Sequence, residues 1–454
     1  MEARLPGAPS EGGNMNKKKA ELCNIPSYPD GVQATDTGVR PSPADQFDLS
    51  MRSVFEVDRR LLKWLLRAMG NPPVRFLLWN GEEVAGSTNP HIARVFIADR
   101  GALLRLIVNP DLHFGDCYSS GRINVDGDLV EFLETVYRAL AAVPAGSLTQ
   151  RILSHTRRAR PNSLAGSRDN IHRHYDIGND FYRLWLDERM VYTCAYFANP
   201  SATLEQAQVA KMDHVCRKLQ LRAGELVAEA GCGWGSLARH MARHYGVKVR
   251  AYNISHEQVV YARERAKAEG LEGLVEYVED DYRNISGDFD AFVSVGMLEH
   301  VGVGHYRELG NVIHRCLKDS GRGLIHSIGR NRAKPMNAWI EKRIFPGAYP
   351  ATLAEIMQIF EPWEFSVLDV ENLRLHYART LEHWLWRFEK ASDRVAAMFD
   401  EPFVRAWRLY LAGSIAAFRV SDMQLFQVVF APRNNNNVPW TRNHIYALTD
   451  QPES

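Results

Sequence analysis

Apolar and polar positions alternate with two different periods along this chain, and the changes of period mark its elements. VDRRLLKWLLRAMG, residues 57–70, places Leu61, Leu62, Trp64, Leu65 and Met69 on one face at helical spacing. VRFLLWNG (74–81) and ARVFIADRGALLRLIVNP (93–110) carry the apolar runs of strands, and DLVEFLETVYRALAAV (128–143) returns to a helical period. Residues 51–150 therefore predict a small N-terminal α+β domain.

Beyond residue 203 the pattern becomes a regular alternation. TLEQAQVAKMDHVCRKLQL is helical, with Leu204, Ala207, Met212, Val215 and Leu219 near one face. Next come the strand ELVAEA, the helix SLARHMARHYG, the strand VKVRAYNIS, and the helix HEQVVYARERAKAEG with Gly270 as its stop. LVEYVEDD, FDAFVSVGM and GRGLIHSIG read as strands, with RELGNVIHRCL a helix between the last two. Strands separated by helices of this length predict a mostly parallel sheet covered on both faces, an α/β fold.

Between these regions, residues 151–170 (RILSHTRRARPNSLAGSRDN) have a basic linker's composition: either a solvated connector or a contact for anionic lipid headgroups. Residues 1–50, rich in Pro, Gly, Ser and charge, predict a disordered leader without the apolar core of a secretory signal. Residues 436–454 read as a C-terminal tail.

The whole-chain numbers narrow the function. With 454 residues, 45% hydrophobic and 24% charged, the chain suits two or three globular domains. A net charge of +1 argues against a nucleic-acid binder. Six cysteines form no CxxC pair and fit no zinc template, so reduced thiols and no metal are expected. No run approaches the roughly 20 apolar residues that span a bilayer.

The first chemical signal is ELVAEAGCGWGSLARH, where Gly231, Gly233 and Gly235 fall at a strand-to-helix turn. Such a turn brings backbone close to a ligand in the crevice at the strand ends. Its third glycine comes one residue earlier than in a phosphate-binding dinucleotide loop, which fits a ligand without phosphates. Asn253 to Gln258 end the second strand, where polar side chains reach ribose hydroxyls. Asp281 and Tyr282 follow the third, where an acid can accept from an adenine amino group and a ring can stack. Each pair alone is equally served by turn chemistry. Together they outline an adenosine-shaped pocket.

Several longer blocks go further: FGDCYSSGRINVDGDL, HYDIGNDFYRLWLDERMVYTCAYF, EAGCGWG, SVGMLEHVG, LIHSIG, WIEKRIFPG, HYARTLEHW and FRVSDMQLFQVVF. Over roughly residues 110–435 the chain resembles the cyclopropane-fatty-acyl-phospholipid synthase family. The resemblance implies a class I methyltransferase (Rossmann-like) seven-stranded sheet over residues 171–435, with S-adenosylmethionine as methyl donor. It places Tyr192 and Thr193 at the donor's methionine end and Glu229, Gly231, Cys232, Gly233 and Gly235 around the donor. Asn253 and Gln258 fall at the ribose, and Asp281 and Tyr282 at the adenine. It also implies an active-site bicarbonate as base, with Cys194, Glu299, His326, the backbone of Ile328 and Tyr377 as its ligands.

Two departures from the family stand out: Glu229 replaces the more frequent Asp before the glycine turn, and Ser414 stands where many relatives have Cys. The chemistry needs no covalent thiol. An alkene pressed in line against the sulfonium methyl takes the methyl, and loss of a proton from that methyl closes the ring. The implied partner is an unsaturated phospholipid, met from a cytoplasmic location by transient contact with the inner membrane surface. By analogy, residues 51–150 are expected to help dock to the bilayer or to pair subunits in a homodimer. The rival outcomes are a methyl- or methylene-branched chain from the same first step, small-molecule N- or O-methylation on the same fold, and non-catalytic lipid binding.

Overall fold

Helix-period and strand-period segments sort into two sheets in the computed structural model, which describes residues 53–85, 90–143 and 177–446. In the N-terminal part, helix α1 (Glu56–Ala68) buries Leu62, Leu65 and Leu66, and its first turn carries Glu56 and Asp58, whose charges suit the helix dipole. A four-stranded sheet follows, built from β1 (Val74–Leu77), β2 (Glu83–Ala85), β3 (Ala93–Ile97) and β4 (Ile123–Asp126) in the order β2-β1-β3-β4.

The expected strand over 93–110 is corrected here. Only its first five residues are extended; Arg100–Val108 form helix α2. Asp99 caps it, accepting from Ala102 N at 3.0 Å, and Ala102, Leu103 and Leu106 point inward at helical spacing. Helix α3 (Pro110–Ser119), which the pattern did not reveal, starts on the Asn109 cap, and α4 (Leu129–Ala142) matches the expected helix.

The second sheet is the scaffold of the site. Helix α5 (Leu204–Lys218) opens on a Thr203–Gln206 capping box. The chain then alternates through β5 (Leu226–Ala230), α6 (Ser236–Tyr245), β6 (Lys248–Asn253), α7 (His256–Ala268), β7 (Val275–Glu279), β8 (Phe289–Val295), α8 (Tyr306–Cys316) and β9 (Leu317–Arg330). After the two-residue β10 (Ala351–Thr352) come β11 (Ser366–Asn372), α9 (Arg374–Lys390), α10 (Ser392–Met398), α11 (Glu401–Arg419) and β12 (Gln424–Ala431).

The order is β11-β12-β9-β8-β5-β6-β7, with β10 appended to β9. Strands β5 to β9 pair in parallel, and β12 is antiparallel to both its neighbours. One face is covered by α5, α6 and α7 and the other by α8. The chain runs outward from β5 to β7 and then returns to lay β8 on the other side of β5. Such a switch opens a crevice at the strand ends.

A third apolar cluster runs without a break from Leu62 and Val74 of the N-terminal layer to Tyr377, Trp407 and Leu425. The C-terminal tail, as far as it is described, is docked: Ile445 is buried and its carbonyl accepts from Arg217 Nε at 2.9 Å. The expected leader (1–50) and basic linker (151–170) lie outside the described residues. Among the described residues no helix is long and apolar enough to cross a membrane, and the five described cysteines are buried thiols.

Candidate active site

The glycine turn after β5 is built by close approaches that side chains would block. Gly231 has φ +84°, and a Cβ there would stand 2.9 Å from that of Met297. Its N–H and that of Cys232 both donate to Tyr252 O, at 2.9 and 3.1 Å, which ties the turn to the end of β6. Gly235, at φ +77°, lies against the Tyr277 ring, whose hydroxyl donates to Gly235 O at 2.9 Å. Gly233 also adopts the left-handed region.

Above this turn, at the ends of β5, β6, β7 and β8, opens a cleft of about 160 Å3. Every donor-binding residue expected from the sequence lines it except Gly235, which shapes the turn from behind. Asn253 works as a brace: its amide donates to Gln258 Oε1 at 2.8 Å and Gly233 O at 3.2 Å, and its carbonyl accepts from Ser255 N. Asp281 accepts from both the backbone and the guanidinium of Arg283 at 3.0 Å, and that guanidinium lies over the Tyr282 ring. Tyr192 meets Tyr410 of α11, hydroxyl to hydroxyl, at 2.9 Å. Thr193 packs so closely on Gly296 that a Cβ there would come within 2.9 Å of its methyl.

Glu229 is 2% exposed and its Oε2 has no partner among the described residues. Burial pushes its carboxyl up to about 7 against the opposing pull of Lys211 and Arg239.

The second set of expected residues gathers beside β9. Glu299, in the short turn after β8, accepts from Ile328 N at 2.6 Å through Oε1, while its buried Oε2 makes no geometric hydrogen bond among the described residues. Desolvation raises this carboxyl to about 7 although the Ile328 N–H stabilises the charge. His326, two residues back along β9, is 1% exposed and burial lowers it to about 3, so the ring is neutral at physiological pH. The amide nitrogen of Gln427, its cross-strand neighbour on β12, lies 3.0 Å from Nδ1. That donor leaves the ring proton on Nε2, which has no partner among the described residues.

Cys194 and Tyr377 are both linked to Leu373, and none of Cys194, Glu299, His326, Ile328 and Tyr377 is among the residues that line the cleft. The Cys194 thiol donates to Ala195 O at 3.1 Å with Leu373 O farther off at 4.0 Å, the Tyr377 N–H donates to Leu373 O at 3.2 Å, and Leu373 N donates to Leu425 O, the strand partner of Ile328. Burial drives the Cys194 thiol well up, so it stays protonated. Ser414 is half-buried on α11, a helix packed against α9.

The sequence reading missed Lys211, Trp234, Gly296, Met297 and His300, which also line the cleft. For Lys211 a signal existed: it falls between Ala207 and Val215 on the apolar stripe of α5, where a lysine is out of place. Trp234 is fixed by its indole N–H, which donates to Asn179 at 2.7 Å; nothing local in the sequence distinguishes it from a core tryptophan.

Residues 162–428 match the family described as mycolic acid cyclopropane synthetase. A probable fatty acid methyltransferase of Pseudomonas putida is 35% identical over 388 residues, covering 82% of this chain and 96% of the relative. The cyclopropane-fatty-acyl-phospholipid synthase of Escherichia coli strain K12 is 42% identical over 259 residues, 57% of this chain and 66% of the relative. Among solved structures, the mycolic acid cyclopropane synthase CmaA1 complexed with SAH and CTAB aligns with a TM-score of 0.55 at 28% identity, covering 58% of this chain and 97% of that one.

Proposed function

Because this chain belongs to the mycolic acid cyclopropane synthetase family, whose members are S-adenosylmethionine-dependent methyltransferases acting on lipids, we propose that it converts the cis double bond of an unsaturated phospholipid acyl chain to a cyclopropane, with bicarbonate as the active-site base. The observation that carries the reading is a pair of buried polar atoms, His326 Nε2 and Glu299 Oε2, that make no geometric hydrogen bond among the described residues; Glu299 accepts from Ile328 N, and Ser327 also acts on its carboxyl. Burying such atoms without partners costs about 1–3 kcal/mol each, a cost that a small polar ligand bonded to them would relieve.

The residues fit a small oxyanion. The neutral His326 ring presents an Nε2–H donor, and a carboxyl held near 7 supplies a second donor in its protonated form. His326, Glu299, Tyr377, Cys194 and the backbone of Ile328 would hold bicarbonate, which when bound supplies the base for the proton that leaves the transferred methyl. The cleft walls hold the donor so that its methyl faces the alkene. The apolar surroundings of Cys194 and Tyr377 keep water from the cation that follows methyl transfer. Ser414 takes no covalent part.

A second reading is favoured by the Pseudomonas relative, whose name is that of a fatty acid methyltransferase. It shares the first step and diverges at the cation: loss of a proton from a neighbouring chain carbon leaves a methyl-branched alkene, and a 1,2-hydride shift followed by loss of a methyl proton leaves a methylene branch. Incubation with S-adenosylmethionine and vesicles of cis-unsaturated phospholipid, followed by lipid NMR, separates the two. Upfield cyclopropyl protons are expected; methyl-branch or exomethylene signals in their place would select the second reading. Glu299→Gln is expected to lower kcat by about 100-fold while sparing donor affinity, and full turnover in that variant would remove Glu299 from the chemistry.

A further inference from the structure

Helix α5 delivers to the donor cleft one charged side chain that neither the glycine turn nor the lipid chemistry uses. Lys211 is 2% exposed and lines the cleft with Thr193, Glu229 and Gly231. Its ammonium donates to Thr193 Oγ1 at 3.1 Å, and it makes no ion pair among the described residues. The titratable groups that act on it are Asp187, Cys194, Glu229 and Cys216, and its own charge acts on His326. Both thiols are neutral, because burial drives them far up. The Asp187 carboxylate accepts from Val191 N at 2.8 Å and Arg189 N at 3.1 Å. Glu229 keeps its Oε2 unpartnered in the same cleft.

A buried ammonium with no carboxylate at ion-pair distance among the described residues is costly, several kcal/mol by desolvation alone. Burial lowers this one to about 8, so it still carries its proton at neutral pH. The cleft thus holds a cation and an acid that do not pair with each other, an arrangement complementary to a zwitterion. The donor ends in one. It also carries a sulfonium, so a lysine in its pocket repels it everywhere except at the α-carboxylate, the donor's single anionic group.

We propose that Lys211, steadied by the Thr193 hydroxyl, is the binding residue for the α-carboxylate of S-adenosylmethionine, with Glu229 as the counter-charge for the α-ammonium, so that the cleft selects donors with an intact amino-acid end. The assignment goes beyond the lipid reaction and depends only on S-adenosylmethionine being the donor.

Calorimetric titration of the full chain without lipid tests it, using S-adenosylhomocysteine and its decarboxylated counterpart, which keeps the amine and the adenosine. Wild-type protein is expected to bind the decarboxylated ligand about 30-fold more weakly, the size of one charge-assisted hydrogen-bond contact. In Lys211→Met, S-adenosylhomocysteine is expected to weaken by a similar factor and the two ligands to become equivalent. Wild-type affinities within twofold of each other would overturn the assignment, as would a Lys211→Met protein that still prefers the carboxylate. If that variant fails to fold, the wild-type pair of titrations decides alone. Lipid NMR without cyclopropyl signals would defeat the proposed reaction and leave this assignment standing.

Discussion

A single buried carboxyl shows how function and stability pull in opposite directions at the level of one residue. Glu299 titrates near 7 in the folded chain against an ordinary value of 4.5. The folded state therefore holds more protons than the unfolded state between those values, and stability falls as pH rises through that window. The favourable term is fully present below 4.5 and lost above 7, a swing of up to about 3 kcal/mol. Glu299→Gln keeps the oxygen that accepts from Ile328 N but cannot ionise. Urea unfolding at pH 4.5 and pH 8 should find the variant close to wild type in acid and more stable than wild type, by up to that amount, at pH 8. Equal pH dependence of the two proteins would contradict the burial argument. The same residue was legible in the sequence only through the SVGMLEHVG block, because a lone Glu-His pair is ordinary helix-start chemistry. Lys211 was legible in another way, as a charge on an apolar stripe, but its depth depends on how α5 seats on the sheet, and no local pattern states that.

At the scale of elements, strand register carries information that the linear sequence hides. His326 on β9 pairs with Gln427 on β12, and Gln427 pairs with Glu371 on β11, so three residues far apart in sequence form one row across the sheet. Helix α5 lies over this face with Lys211, His214 and Lys218 at helical spacing. Glu371 accepts from His214 Nε2 and forms an ion pair with Lys218 Nζ, each at 2.6 Å. Burial opposes the Glu371 charge, but these two partners prevail and bring it down to about 2 from 4.5. The stabilisation is present above 4.5 and disappears as pH falls through 2. Glu371→Gln leaves the buried Lys218 with Asp369 alone, at 3.4 Å. It should therefore cost about 3 kcal/mol at pH 7 and progressively less below pH 4.5. Chemical unfolding across that range checks it; a loss that did not shrink in acid would point to packing rather than charge. The alternation of strands and helices was readable because each period ends on a glycine or polar turn. ALLRLIV was misread because a short, nearly continuous apolar run satisfies both periods, and the Asp99 cap decided for the helix.

On the scale of the whole molecule, the N-terminal layer and the donor cleft are joined through one helix. Arg405 of α11 reaches into the N-terminal layer, donating to Tyr118 O at 2.6 Å, Ile123 O at 3.0 Å and Asn124 Oδ1 at 2.8 Å, with its guanidinium over the Tyr118 ring. Farther along the same helix, Arg419 pairs with Glu134 of α4, and between them Tyr410 meets Tyr192 at the cleft. From the other side, Trp339 lies so close on Gly115 that no side chain could grow there. A layer held this way cannot unfold without loosening the wall behind Tyr192, so urea transitions followed by tryptophan fluorescence and by far-ultraviolet circular dichroism should coincide. Arg405→Ala strips the partner from three acceptors at once, and burial keeps water from replacing it fully. The expected loss is about 2–3 kcal/mol, with the two probes still moving together. A variant whose fluorescence and dichroism transitions separate would show that the N-terminal layer is an independent folding unit, and one with an unchanged midpoint would show that the three hydrogen bonds are replaced by solvent at no cost.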